Sequence, residues 1–320
     1  MQIIDCINRA ISDGMTRMTF ELLPPLKGQS PKVIFQAIDK LAEFNPAYIN
    51  VTFQREGTEY IQREDGLLEK HIVRNRPGTV GISAAIMKRY NIEVVQHLIC
   101  GGMTKYDIED ALIDLDLLGV DNILALRGDA MRGEQRYTAK RQGWEHAHEL
   151  VGQITAMNRG YYLDDEKQHD YRTHFCVGVA GYPEKHPEAA NLEMDIENLK
   201  RKVDAGASYV VTQLCYDNNK IFNFIEQCRI AGIDVPIIPG IKPLSTLKQL
   251  TLLPQTFHVD IPQTLVREIM LCKNNEQIKE LGIEWAIMQA KELKAAGLPV
   301  IHFYTMGNTD NIAKIVKAVF

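Results

Sequence analysis

Short apolar runs alternate with segments of helical period along the chain. Eight runs read as strands: Thr19–Leu23, Tyr48–Phe53, Val94–Cys100, Asn122–Arg127, Phe175–Tyr182, Tyr209–Leu214, Val235–Ile241 and Pro299–Thr305. They are apolar at odd and even positions alike, the pattern of parallel strands covered on both faces. Helical patterns lie between them. Pro31–Phe44 follows Ser30 as cap, puts proline at the first helical position, and aligns Val33, Phe35, Ile38 and Leu41 on one side. Thr104–Leu118 opens with Thr104 and Asp107, close to a capping box. Asn191–Ala205 carries Leu192, Ile196, Leu199 and Val203 on one stripe and stops at Gly206, while Phe222–Ala231 and Ile278–Ala296 stop at Gly232 and Gly297.

Strands alternating with helices in one rhythm predict an α/β fold, a (β/α)8 TIM barrel, with a doubly wound open sheet as the structural alternative. No linker interrupts the rhythm, so residues 1–320 read as a single domain. Two polar stretches read as insertions after strands two and four. Gln54–Gly78 is charged, and Gly133–Thr173 holds a helix at Trp144–Met157 and a polar loop. Because both follow strands, a barrel would set them at or near its catalytic face.

Composition narrows the function. Lysine and arginine total 36 against 41 aspartate and glutamate, a net charge of -5, which argues against a general nucleic-acid or anionic-membrane binder. No apolar stretch reaches the roughly 18 to 20 residues of a membrane span. Asp5, Asn8 and Arg9 fall where a signal peptide keeps its apolar core. The six cysteines are scattered and form no C-x-x-C pair, which suits a reducing cytoplasm better than a disulfide framework or a zinc ribbon.

A barrel builds its active site at the C-terminal ends of its strands. Seven of the eight strands deliver polar groups there: Glu21, Thr52, His97, Arg127 with Asp129, Tyr182 with Glu184 and His186, Gln213, and Tyr304. Each alone has a structural explanation: a rim ion pair for a glutamate, a satisfied core position for His97, a backbone partner for Gln213. Their joint placement on one rim points to a site. Neither a dinucleotide-binding G-x-G-x-x-G nor a P-loop is visible. There is no zinc-ligand spacing, so no metal is expected, and no nucleophile elbow.

The motifs Phe20–Pro25 (FELLPP), Gln96–Leu98 (QHL), Ala125–Asp129 (ALRGD), Ala180–Ala189 (AGYPEKHPEA), Asn198–Ala207 (NLKRKVDAGA), Thr212–Gln213, Ile237–Ile241 (IIPGI) and His302–Thr305 (HFYT) occur in that order over nearly the whole chain. In this ordered set the chain resembles the methylenetetrahydrofolate reductase family, in its short bacterial form without a regulatory domain. The resemblance implies an FAD-binding barrel that reduces 5,10-methylenetetrahydrofolate to 5-methyltetrahydrofolate in ping-pong order, supplying methyl groups for methionine synthesis. NADH or NADPH is the implied donor, with a protein electron donor as the alternative. The implied setting is a cytoplasmic homo-oligomer.

The substrate's methylene carbon is locked between two nitrogens, and protonating one of them opens the ring to an electrophilic iminium. Glu21, wrapped by Phe20, Leu22 and Leu23 and stiffened by Pro24-Pro25, is the expected acid, because burial keeps a carboxyl protonated. The resemblance implies that Asp129 stands beside the flavin ring. It implies FAD contacts from Thr52, His97, Arg127, Tyr182, His186, Asp195, Asn198, Arg201 and Lys202, and a substrate contact from Gln213. The chain departs from the family pattern in three places. Phe53-Gln54-Arg55-Glu56 and the charged stretch behind it replace a Gly-rich segment. Leu253 stands at the substrate-binding position of a stacking aromatic, and the arginine expected after HFYT is replaced near Asn308. Two other functions are carried forward: a pterin-binding barrel that transfers one-carbon units without redox chemistry, and a non-catalytic partner subunit. Neither predicts a flavin.

Overall fold

The structure is a computed structural model that describes residues 1–30, 32–53, 57–130, 134 and 136–320. Pro31, the expected first helical residue, lies outside the described residues. So do Gln54, Arg55 and Glu56 at the start of the first insertion, and Gly133 at the start of the second.

Eight parallel strands close into a barrel: β1 (Arg17–Leu22), β2 (Ile49–Val51), β5 (Val94–Ile99), β6 (Asn122–Leu126), β7 (Cys176–Gly181), β8 (Tyr209–Leu214), β9 (Ile237–Ile241) and β10 (Val300–Phe303). All eight predicted runs are strands of this barrel, and closure of β1 onto both β2 and β10 excludes the open sheet. The remaining pair, β3 (Gly57–Gln62) and β4 (Leu68–Val73), is an antiparallel hairpin inside the first insertion. The charged composition of that stretch concealed its alternation.

Helices cover the barrel: α2 (Lys32–Ala42), α3 (Val80–Tyr90), α4 (Lys105–Leu117), α5 (Ala147–Met157), α6 (Leu192–Asp204), α7 (Asn218–Ile230), α8 (Gln249–Phe257), α9 (Gln263–Leu271), α10 (Asn275–Ala295) and α11 (Thr309–Val319). The Thr104 capping box is present, with Asp107 N–H donating to Thr104 Oγ1 at 3.1 Å and Thr104 N–H to the Asp107 carboxylate at 2.7 Å. On α2 the buried stripe is Ile34, Ile38 and Leu41, while Val33 is exposed. A stripe advancing by four and then three residues stays on one face, and Val33 falls off it by one residue's rotation.

The first helix, α1 (Ile3–Ser12), has no counterpart in the predicted elements. It plugs the lower end of the barrel. Ile3 and Ile7 are fully buried in one cluster with Tyr48, Val95, Tyr209 and Val300. Asn122 at the foot of β6 secures it, accepting from Ile3 N–H at 2.8 Å and donating to the Met1 carbonyl at 3.1 Å. With that end sealed, the other end is the mouth. No helix among the described residues is long and apolar enough to cross a membrane.

Candidate active site

The floor of the mouth is a polar layer in the barrel. Asn50 on β2 stands between two imidazoles, its Nδ2 3.5 Å from His302 Nδ1 and its Oδ1 3.4 Å from His97 Nε2. Burial pushes both histidines down to about 3, so both are neutral. Neutral rings fix the proton positions: His97 Nε2–H donates to the Asn50 oxygen, and His302 Nδ1 accepts from the Asn50 amide. Asn50 also donates to Thr19 Oγ1 at 3.3 Å.

Two residues beyond Thr19 on β1 stands Glu21, the register partner of Asn50 on β2. Thr19, His302 and Gly240 are register partners across β1, β10 and β9. Side chains two residues apart on a strand share a face. Glu21, Tyr304 and Lys242 therefore occupy the next layer together, and Tyr304 N–H donating to the Ile241 carbonyl at 2.9 Å carries the ladder to that level. Gly240 is required here, since a Cβ on it would lie 2.4 Å from the Tyr304 ring. Tyr304 crosses the mouth edge-on to His302 and donates to the Thr212 carbonyl at 2.7 Å. Glu21 is 7% exposed, and burial lifts its carboxyl to about 8 against the opposing pull of Lys242. Lys242 is 5% exposed and is brought down to about 8 by burial, Glu21 opposing. Thr305 Oγ1 donates to the Glu21 carbonyl at 2.8 Å, and Thr52 Oγ1 to the Leu22 carbonyl at 3.1 Å, which fixes the end of β1.

The β6–β8 side carries further cations. Arg127 makes a two-pronged ion pair with Glu188 at 2.6 and 2.8 Å, which raises its already high pKa. Tyr182 meets His186 edge to face at 4.8 Å. Burial pushes the Tyr182 phenol up, with the nearby Asp129 charge adding to it, and burial pushes His186 down to about 4. The His186 N–H donates at 2.9 Å to Asp195, a buried carboxylate in the first turn of α6 whose pKa burial raises. Lys202, brought down to about 8 by burial, donates to the Ala180 carbonyl at 2.6 Å. Arg201 is exposed and donates to Asn198 at 3.2 Å. Asp129 is exposed on the rim beyond β6.

Gln213 sits where β8 gains one residue over β9, since Val211 pairs with Ile238 but Leu214 with Gly240. Such bulges re-aim side chains beside active sites. Its Oε1 accepts from Leu214 N–H at 2.9 Å. Leu253 is not brought to the mouth. It is 2% exposed on α8, within the apolar cluster of Leu214, Leu244, Leu265 and Ile269 against which Tyr304 packs. Glu184 also serves structure, since Lys220 joins it to Asp260.

A family model described as methylenetetrahydrofolate reductase matches residues 6–319. The chain belongs to the methylenetetrahydrofolate reductase family. Among relatives, a maize protein called methylenetetrahydrofolate reductase (NADH) 1 is 31% identical over 98% of this chain and 49% of its own length. The 5,10-methylenetetrahydrofolate reductase of Escherichia coli K12 is 29% identical over 96% of this chain and 92% of its own. The chain thus spans about half the length of the plant relatives and nearly all of the bacterial one. Among solved structures, a Clostridium thermocellum protein described as binding two copies of 5-methyl-5,6,7,8-tetrahydrofolic acid superposes with TM-score 0.59 at 15% identity, covering 98% of this chain and 97% of that one. An oxaloacetate acetylhydrolase follows at TM-score 0.52 and 9% identity, over 95% of this chain and 80% of its own. At those identities the likeness shows the barrel fold alone.

Sequence reasoning missed Lys242, Asn50 and His302. The strand run ending at Ile241 stopped one residue short of Lys242, and Asn50 and His302 lay inside runs read for apolarity. The signal for all three was parity: counting back by twos from Thr52 and Tyr304 reaches Asn50 and His302, and counting forward from Gly240 reaches Lys242.

Proposed function

We propose that the chain is a single-domain, FAD-dependent 5,10-methylenetetrahydrofolate reductase. The observation that carries this reading is Glu21: a carboxyl lifted to about 8 by burial, at the mouth of a barrel that belongs to this family. An acid protonated at neutral pH is what opening the five-membered ring of the substrate requires.

The residues of the β6–β8 side suit a dinucleotide. Lys202 has three N–H donors, and among the described residues it spends one hydrogen bond, on Ala180. The others remain for anionic oxygens, with Arg201 and Arg127 nearby in the fold and Asp195, Asn198 and His186 around them. Thr52, His97 and Tyr182 complete the proposed FAD contacts. Held by these residues, FAD would supply hydride transfer from the donor to the folate, and use of one site by both partners in turn would make the kinetics ping-pong. Asp129 sets a negative charge at the rim where the ring edge would lie. Gln213, re-aimed by the bulge, hydrogen-bonds the pterin edge. Leu253 supports that wall from behind as packing. Glu21 holds the proton at its carboxyl oxygen and delivers it to the substrate nitrogen while the mouth excludes water.

The names of the plant relatives favour NADH over NADPH as donor, with a protein donor as the remaining choice. We take the enzyme to be a cytoplasmic homo-oligomer that supplies methyl groups for methionine synthesis. The test separates the half-reactions under anaerobic conditions. Purified protein should be yellow, and NADH should bleach it. Glu21→Gln keeps the colour and the bleaching, while reoxidation by methylenetetrahydrofolate slows by about 10² to 10⁴. Colourless protein that takes up no flavin, or a normal folate step in the variant, refutes the proposal.

A further inference from the structure

Among the described residues, Lys242 is the cation placed in the layer of Glu21, and the chemistry above does not use it. Its place follows from the strand ladder: Gly240 is the register partner of His302, and His302 of Thr19, so Lys242, Tyr304 and Glu21 share the next inward layer. Lys242 is 5% exposed, and among the described residues its hydrogen bond is a long one, 3.4 Å, to the carbonyl of its own neighbour Pro243. A lysine so poorly compensated is costly to bury, and an apolar side chain of that length would serve packing better. Its placement is explained by a charge that appears in the same space.

We propose that Lys242 is a positioning residue for Glu21, its ammonium standing as counter-charge to the carboxylate that forms when Glu21 protonates the substrate. The inference rests on the reductase reading above. In the step itself the O–H bond of Glu21 breaks and an N–H bond forms on the folate. The O–H electron pair stays on the carboxylate, and water later restores the proton. A lone carboxylate at so buried a position is strongly disfavoured, and an adjacent cation lowers that cost. The other titratable groups on the packed elements are unsuited. Tyr304 and His302 on β10 and His97 on β5 are held neutral by burial, and the facing residues of β2 are Asn50 and Thr52. Tyr182, on the far side, is also neutral.

The test is the pH profile of the anaerobic folate half-reaction in Lys242→Met, Lys242→Arg and the wild type, each checked for its flavin spectrum and melting temperature. Removing the cation disfavours the Glu21 anion. The alkaline limb of the profile in Lys242→Met should move up by about one to three pH units. The plateau below it should fall roughly three- to thirtyfold, because a weaker acid transfers its proton more slowly. Lys242→Arg, which keeps its charge at every pH of the scan, should leave the limb at or below its wild-type position, and reduction by NADH should be unchanged in all three. A limb that stays in place in Lys242→Met overturns the inference, as does an Lys242→Arg profile that matches Lys242→Met. Glu21→Gln keeps the two failures apart. If it slows the folate step while the Lys242→Met limb stays put, the positioning role alone is lost. If it leaves the folate step intact, the reductase reading fails as well.

Discussion

At the scale of single residues, chemistry and stability pull against each other at Glu21. Its ordinary value is 4.5 and in the folded chain it stands at about 8. Between those values the folded state keeps a proton that the unfolded state has released. Stability therefore falls as pH rises through that window. Glutamine has no such proton. Glu21→Gln should thus gain melting temperature over the wild type progressively from about pH 5 to about pH 8, with little difference at the acid end. Thermal melts across that range check this, and a constant offset would mean that the side chain is solvated. His97 and His302 titrate in the opposite sense: at about 3 when folded against an ordinary 6.5, they cost stability as pH falls. Both proteins share that cost, so it cancels in the comparison. Glu21 was legible in the sequence because its neighbours are apolar and prolines follow it. Lys242 was not, because what defines it is the register of three strands that are distant in sequence. Leu253 was read at a ligand position, but α8 turns it into the apolar cluster behind Tyr304.

At the scale of elements, the hairpin of β3 and β4 is the least predicted and the most separable part. Its strands pair with each other and not with the barrel. Tyr60, Leu68 and Ile72 share one of its faces and are exposed. The segment behind it is tied to the mouth: Asn75 accepts from Lys27 N–H at 2.9 Å, and Arg76 donates to the Pro24 carbonyl, three residues beyond Glu21. Gly57 and Val73 are direct partners, so a short linker can join their flanks. Replacing residues 58–72 by such a linker should change barrel stability by less than about 1 kcal/mol, since a two-stranded ribbon adds little on its own. Urea unfolding measures this, and a larger loss would show that the hairpin belongs to the barrel's cooperative unit. Charge marked this stretch as an insertion after a strand, but its strands alternate too weakly to be read against that charge.

At the scale of the whole molecule, the barrel is sealed at one end and reactive at the other. The eight strands were legible because a parallel sheet buried on both faces needs continuous apolar runs. The plug was not, because Ile3 and Ile7 are only a short stripe until Tyr48 and Tyr209 close over them. Sealing below and polar layering above leave Glu21 as a protonated carboxyl facing the open end. The direct test of that claim is the rate at which methylenetetrahydrofolate reoxidises the pre-reduced holoenzyme, in single turnovers from about pH 6 to about pH 10. The rate should be level on the acid side and fall about tenfold per pH unit above about 8, where Glu21 loses its proton. A rate that is flat across the range, or already falling from about pH 5, would contradict it.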